Sequence, residues 1–322
     1  LDIHATTQGI HAMRMNIASS LGIPLSKVNC HRVYLGGSFG AHIHTGWIEP
    51  ICAFLALKTG LPVRGEKSRE EMFLTCGRHP MILTLKTGVK KDGTIIAQHL
   101  DVTDETGAYA FSGESKMVLA SGWFLSMYKC PNMKFAGRTV YTNTPPLTAM
   151  RGAANPQVHF AVESQMDIIA EKLKMDPIDL RLKNAAAEGT QAAYGPKYPA
   201  IGLKECLEAA KAHPNYARPV PEGAGRGVAV GFWFNAGMES SAEVHVNEDG
   251  SVQIIEGNPD IGGSRASMAL MAAETLGVPY ENIRVLVGDT ESSGFNAVTG
   301  GSRTTFATGM AVIQACEDAV SY

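Results

Sequence analysis

Gly36-Gly37-Ser38-Phe39-Gly40 closes an apolar stretch over residues 30–35 that has the pattern of a β-strand. Three glycines within five residues let the backbone bend sharply, or approach a ligand with no side chain in the way. Bare amide groups in such a loop can form a concave seat for an oxyanion. A glycine-rich turn after a strand is by itself only a turn signal. Its meaning therefore depends on what surrounds it.

The chain has 322 residues, a length that suggests two domains. Hydrophobic residues make up 45% and charged residues 18%, enough apolar material for a large core. A net charge of −3, with Lys and Arg scattered, gives no basic field for nucleic acid. No apolar run is long enough for a membrane span. Cys30, Cys52, Cys76, Cys130, Cys206 and Cys316 lie far apart with no C-x-x-C pair, so no iron–sulfur or zinc motif is present. With no signal peptide visible, the expectation is reduced thiols and a cytoplasmic location. The start at Leu1, inside a strand pattern, and the stop at Tyr322 suggest a segment of a larger protein.

Strand patterns run over 1–5, 30–35, 82–89, 94–101, 138–142, 227–232, 242–246, 251–256 and 283–288. Asp92-Gly93 and Asp249-Gly250 mark hairpin turns. Helical periodicity covers 10–21, 48–58, 158–172, 203–212, 266–276 and 304–319, and Asp176-Pro177 opens a short helix ending near Asn184. Mixed hairpins and helices give the class α+β. Prolines at 214, 219 and 221 mark a linker over 214–225, separating a first domain at 1–213 from a second at 226–322. Residues 8–28 and 263–283 share an offset of 255, with Met13 matching Met268 and Leu21-Gly22-Ile23-Pro24 matching Leu276-Gly277-Val278-Pro279. This points to an internal repeat of turn, helix, stop and strand. In each copy a helix N-terminus follows a turn, where free N–H groups favour an anion.

Three segments in order carry a family likeness: Ala5-Thr6-Thr7-Gln8, the glycine loop, and Thr142-Asn143-Thr144-Pro145-Pro146 leading to Ala149-Met150-Arg151-Gly152-Ala153-Ala154-Asn155-Pro156-Gln157. Together with Met175-Asp176-Pro177 and Asp260-Ile261-Gly262-Gly263, they resemble the molybdenum-binding subunit of the xanthine dehydrogenase/aldehyde oxidoreductase family, the molybdenum hydroxylases. The likeness implies two molybdopterin-binding domains and oxidative hydroxylation of an electron-poor carbon, in an aromatic N-heterocycle or an aldehyde, with water as the oxygen source. It also implies a molybdenum–molybdopterin cofactor, in the cytosine dinucleotide form, with no direct protein ligand to the metal. Electrons would leave through a 2Fe-2S subunit to an FAD subunit or another acceptor in a heteromeric complex.

Carried over by position, Gln8 matches a glutamine whose amide approaches an oxo ligand of molybdenum. Gly37, Phe39 and Gly40 match backbone beside the metal and its dithiolene, and Arg151 sits in the Arg-Gly segment near it. Gly262 and Gly263 fall on the turn that meets the pterin, and Gly300, Gly301 and Ser302 on a loop that wraps the cofactor. His42, Ile43, Ala153 and Phe232 are candidate substrate-pocket residues.

Several positions depart from the family pattern. Ser38 stands where glycine is usual, and Gly263 replaces a glutamine donor. Ile43 replaces an acidic residue and Ala153 a purine-stacking aromatic of the xanthine-specific members, which argues against xanthine as substrate. The family's catalytic glutamate, in a Gly-Glu segment near the end of the subunit, has no counterpart in the last hundred residues. It is expected on the remainder of the molybdenum subunit or on a companion subunit, and this chain alone is expected to be inactive. Glu163 and Glu171 have the pattern of an ordinary helix face.

Other readings remain open. His42 and His44 could pair on a metal or line a channel, His79 has the look of a residue leading into a strand, and Arg265 could hold an anionic group. The same centre could run in reverse as a reductive dehydroxylase of an aryl thioester. The missing glutamine admits a non-catalytic scaffold subunit. A nucleotide-dependent dehydrogenase is disfavoured because no G-x-G-x-x-G follows a strand.

Overall fold

The computed structural model describes residues 1–192 and 195–321. The chain divides into two compact units, one made of residues 1–72 with the stretch from Phe234 onward, the other of 73–233. These units differ from the chain-order domains 1–213 and 226–322, because the chain leaves the first unit after Met72 and re-enters it at Phe234. The expected linker carries a short helix at Pro214–Ala217.

The first unit begins with β1 (Asp2–Ala5), α1 (Ile10–Leu21), β2 (Asn29–Arg32) and α2 (Ile48–Thr59), and the short α3 (Arg69–Phe73) carries the chain out of it. β1 and β2 are parallel, with Asp2 opposite Asn29 and Ala5 opposite Arg32. α1 crosses between them and buries Ile10, Met13 and Ile17 with Val28 and Cys30. It stops at Gly22, whose φ of 64° is the left-handed conformation glycine adopts without strain. β2 ends at Arg32, short of the strand expected to residue 35. α2 forms where its periodicity predicts, yet only Ala53 is buried; Ile51, Phe54, Leu55 and Leu57 face solvent.

The second unit holds β3 (Met81–Val89), β4 (Ile95–Gly107), α4 (Gly113–Phe124), β5 (Met133–Tyr141), α5 (Asn155–Leu173), α6 (Pro177–Asn184), α7 (Leu203–Ala212) and α8 (Pro214–Ala217). β3 and β4 form the expected hairpin through Asp92-Gly93, and β5 joins β4 in parallel. Leu100, Val102, Trp123, Val158, Val162 and Met166 form one core between sheet and helices. Burying each such side chain contributes roughly 1.5–3 kcal/mol. Asp176 caps α6 by accepting from Ile178 N at 2.8 Å and Asp179 N at 3.1 Å. Glu163 is not on a solvated face: it is buried and accepts from Tyr128 Oη at 2.6 Å, Arg181 Nε at 2.8 Å and Val230 N at 2.8 Å. The strand expected over 227–232 does not form. Its polar groups bond to α5 instead, Val230 N to Glu163 and the Phe232 carbonyl to Asn155 Nδ2 at 2.6 Å. His79 is a core residue, with Nδ1 3.1 Å from Asp104 Oδ1 and Nε2 3.2 Å from Ser112 Oγ.

The first unit then resumes with β6 (Ala242–Val246), β7 (Val252–Glu256), α9 (Ser264–Leu276) and β8 (Ile283–Val287), and ends in a π-helical turn at Thr304–Thr308 that leads into α10 (Gly309–Val320). β6 pairs antiparallel with β7, and β8 pairs parallel with β7. β7–α9–β8 thus repeats β1–α1–β2: a parallel strand pair, a helix stopped by left-handed glycine (Gly277, φ 67°), a 3-10 turn after proline, then a strand. The internal repeat expected from the sequence has this structural counterpart. Among the described residues no helix is long and apolar enough to cross a membrane.

Candidate functional site

Parallel pairing brings the C-terminal ends of β1 and β2 to one edge, so the segment after β1 (Thr7, Gln8) adjoins the glycine loop after β2. Gln8 is buried at that edge, 2% exposed. Its backbone N–H donates to His42 O at 2.9 Å, and its carbonyl accepts from Thr299 N at 2.6 Å. Its Oε1 accepts from Ser38 Oγ at 2.6 Å, Gly40 N at 3.0 Å and, more weakly, His42 N at 3.4 Å. Nε2 donates to Thr299 O at 2.6 Å. An amide nitrogen has two hydrogens, so one Gln8 hydrogen is committed and the second has no partner among the described residues.

The loop itself is built from left-handed residues: Gly37 at φ 117°, Phe39 at 56° and Gly40 at 112°. A Cβ on Gly37 would lie 2.9 Å from the Phe39 ring, so glycine there admits that ring, which is exposed. His42 binds Ser38 Oγ through Nδ1 at 2.8 Å and through its own N–H at 3.2 Å. Burial, then nearby Lys67, lower the imidazole's pKa, with Glu49 opposing.

The loop at residues 299–302 belongs to the same unit. Thr299 Oγ1 donates to Pro259 O at 3.2 Å, and Gly301 and Ser302 are left-handed at φ 70° and 59°. A Cβ on Gly301 would meet Ala236 Cβ at 2.5 Å, and one on Gly300 would come within 3.3 Å of Ile43 Cδ1. Arg303, fully buried, pins this loop by donating to Gly237 O (2.6 Å), Glu239 O (2.7 Å) and Ala297 O (2.9 Å). Sequence reasoning missed Arg303 because a lone arginine ahead of a helix carries no signal of burial.

Gly262 and Gly263 are exposed, but their amides already have a partner. Asp260 Oδ1 accepts from Gly262 N (3.1 Å), Gly263 N (2.7 Å) and Ser264 N (3.1 Å), while Oδ2 binds Arg265 Nε at 2.8 Å. These bonds outweigh burial and hold the Asp260 carboxyl well below the usual range. The anion at the start of α9 is therefore the chain's own, and it is also the group that Arg265 holds. An acidic residue shortly before a helix was the available signal.

In the second unit, Arg151, Gly152, Ala153 and Ala154 form a run of four left-handed residues, at φ 23°, 100°, 38° and 71°, just before α5. Such strain persists where surrounding structure over-determines it, and it clusters at functional sites. Arg78 Nη2 holds the Arg151 carbonyl at 2.8 Å, and Trp123 Nε1 holds that of Ala153 at 3.0 Å. The Trp123 ring lies 5.9 Å from Phe232, so Ala153 and Phe232 share one aromatic neighbour. Among the described residues no group of three or more His, Cys, Asp or Glu side chains gathers as a metal site.

Residues 1–185 match the model of a molybdopterin cofactor-binding domain, and residues 202–321 match a second model of the same description. The putative xanthine dehydrogenase molybdenum-binding subunit XdhA of Escherichia coli (strain K12) is 36% identical over 326 residues, covering 95% of this chain and 43% of that protein. Aldehyde oxidase of Homo sapiens is 32% identical over 346 residues, covering 98% of this chain and 25% of that one. The solved structure of aldehyde oxidoreductase from Desulfovibrio gigas superimposes with a TM-score of 0.90 at 28% identity, over 98% of this chain and 36% of that chain. The chain thus spans less than half the length of these relatives. Two successive molybdopterin cofactor-binding domains, alike along almost the whole chain, make it a member of the xanthine dehydrogenase/aldehyde oxidoreductase family.

Proposed function

We propose that the chain forms part of a molybdenum hydroxylase and holds a molybdenum–molybdopterin cofactor, in its cytosine dinucleotide form, for oxidation of an aromatic N-heterocycle or an aldehyde. The Gln8 amide carries this reading: it is buried, its oxygen is saturated, and one nitrogen-bound hydrogen is left for a ligand. The residues fit such a group, because the loops offer neutral amides and left-handed backbone, suited to a metal whose ligands come from the pterin. When bound, the cofactor supplies a two-electron oxidation in which water provides the oxygen.

The chain's own residues would orient and neutralise. Gln8 would donate to an anionic oxygen of the cofactor. Gly37, Phe39 and Gly40 would line it with backbone, as would Gly300, Gly301 and Ser302. Gly262 and Gly263, with open space where a Cβ would stand and amides spent on Asp260, would meet the pterin by close approach. His42 and Ile43, beside the glycine loop, would shape the substrate pocket on the first unit. The catalytic glutamate would come from the remainder of the molybdenum subunit, and electrons would pass to a 2Fe-2S subunit and then to FAD or another acceptor. Six free cysteines agree with a cytoplasmic setting.

The carboxylate seated on the α9 amides favours one competing reading, a subunit that keeps the fold without loading cofactor. Metal and pterin analysis of the intact, anaerobically purified complex separates the two. About one molybdenum per copy of this chain is expected; a value far below one, despite active cofactor supply, would overturn the enzyme reading. Dye reduction with N-heterocycles, aldehydes and aryl thioesters then assigns the substrate class.

A further inference from the structure

Ser38 is buried, and its hydroxyl has one hydrogen to give. Gln8 is fixed in one orientation, because Gly40 N–H needs an acceptor and Thr299 C=O needs a donor. The group facing Ser38 Oγ at 2.6 Å is therefore Gln8 Oε1, which can only accept. The Ser38 hydrogen goes to it. Ser38 Oγ must then accept both from His42 N–H at 3.2 Å and from His42 Nδ1 at 2.8 Å. Donor accounting thus places a hydrogen on His42 Nδ1. The result is a directional chain, His42 Nδ1–H to Ser38 Oγ–H to Gln8 Oε1, joined at its end by Gly40 N–H. Hydrogen bonds in series polarise one another. Donors converging on an amide oxygen draw charge from its nitrogen and make the remaining N–H a stronger donor.

We propose that Ser38 and His42 are positioning residues for Gln8: their hydrogen-bond chain polarises the Gln8 amide and sets how strongly its uncommitted Nε2 hydrogen meets the ligand. This rests on the cofactor reading above. The chain depends on two side chains that sit four residues apart in one turn of the loop, where Ala41 N also bonds back to Ser38 O at 2.9 Å. A loop with glycine at position 38 could not build it.

The test uses the whole enzyme. Asparagine presents an N–H close to the position of imidazole Nδ1, whereas glutamine presents one close to Nε2. Ser38→Ala, His42→Leu and His42→Gln should each lower kcat about tenfold, the scale of one hydrogen bond. In Ser38→Ala, KM should stay within about twofold, and molybdenum and pterin content should hold in all three. His42→Asn should recover most of what His42→Leu loses. A second readout needs no turnover: the imidazole ¹⁵N spectrum of histidine-labelled enzyme, assigned by difference with His42→Asn, should show the Nδ1–H tautomer. Ser38→Ala should abolish that preference. The proposal is overturned if His42 is the Nε2–H tautomer. It is equally overturned if the asparagine and glutamine variants behave alike, or if all four variants match wild type while Gln8→Ala does not. An enzyme without molybdenum would sink the cofactor reading alone, because the tautomer still reports on the chain.

Discussion

Gln8 and Gly37 show how much of the site is decided by single residues. Replacing Gln8 by alanine removes the acceptor on which Ser38 and Gly40 converge, together with the donor to Thr299. The expected outcome is a drop in turnover of at least about tenfold with the complex still assembled, measured as kcat per molybdenum. Unchanged turnover would mean that the donor has been misplaced. Gly37 carries a different constraint, since φ 117° strains any L-residue and an added Cβ would stand 2.9 Å from the Phe39 ring. Gly37→Ala should cost about 1–3 kcal/mol of stability and displace that ring, visible as a lowered thermal midpoint. Gln8 and the glycine loop were legible in the sequence as motifs. Their wiring was not, because it depends on contacts such as Gln8 to Thr299, 291 residues apart.

At the scale of elements, amphipathic periodicity located most helices to within a few residues, and α1 and α7 to the residue. α4 escaped because Lys116 points into the core and Gly122 interrupts its pattern. The missing strand at 227–232 failed for the opposite reason. Its alternation is real, but tertiary partners on α5 claim its polar groups. Glu163 on α5 illustrates the energetic side of such claims. A buried carboxylate that pairs with Arg181, itself 0% exposed, cannot be removed without leaving that guanidinium only the half-exposed Asp167, 2.8 Å away, as a counter-ion. Glu163→Ala should therefore destabilise the second unit by about 3–5 kcal/mol, read by chemical denaturation. Loss of the α6 cap in Asp176→Ala should cost only about 1 kcal/mol by the same measurement.

At the scale of the whole molecule, the two units carry buried groups with opposite pH signatures. In the first, burial raises the Glu256 carboxyl from 4.5 to about 8, and Glu256 Oε1 has no hydrogen-bond partner among the described residues. The folded form keeps a proton that the unfolded chain releases, so this contribution is full below pH 4.5 and is lost as pH rises toward about 8. In the second, burial lowers the His159 imidazole from 6.5 to about 4. There the unfolded chain takes up a proton that the folded form refuses, so stability falls as pH drops from 6.5 toward 4. Calorimetry between pH 5 and 8 should show Glu256→Gln removing the alkaline decline, with wild type and variant converging at the acid end. The second unit is one continuous segment, 73–233, with its own core, so expressed alone it should give a cooperative transition; the first needs both of its segments. That interleaving was not legible in the sequence, because composition marks a linker but says nothing of which segments share a core. The repeat, by contrast, was visible as matched residues, and its two copies differ in one respect. α9 opens under Asp260, whereas α1 opens at Gly9 with no side-chain cap. The chain thus practises a division of labour between twins: one helix end brings its own counter-ion and is closed to outside negative charge. The other, beside Gln8, brings no charge of its own, only the neutral Thr7 hydroxyl that takes the Gly9 N–H at 3.0 Å.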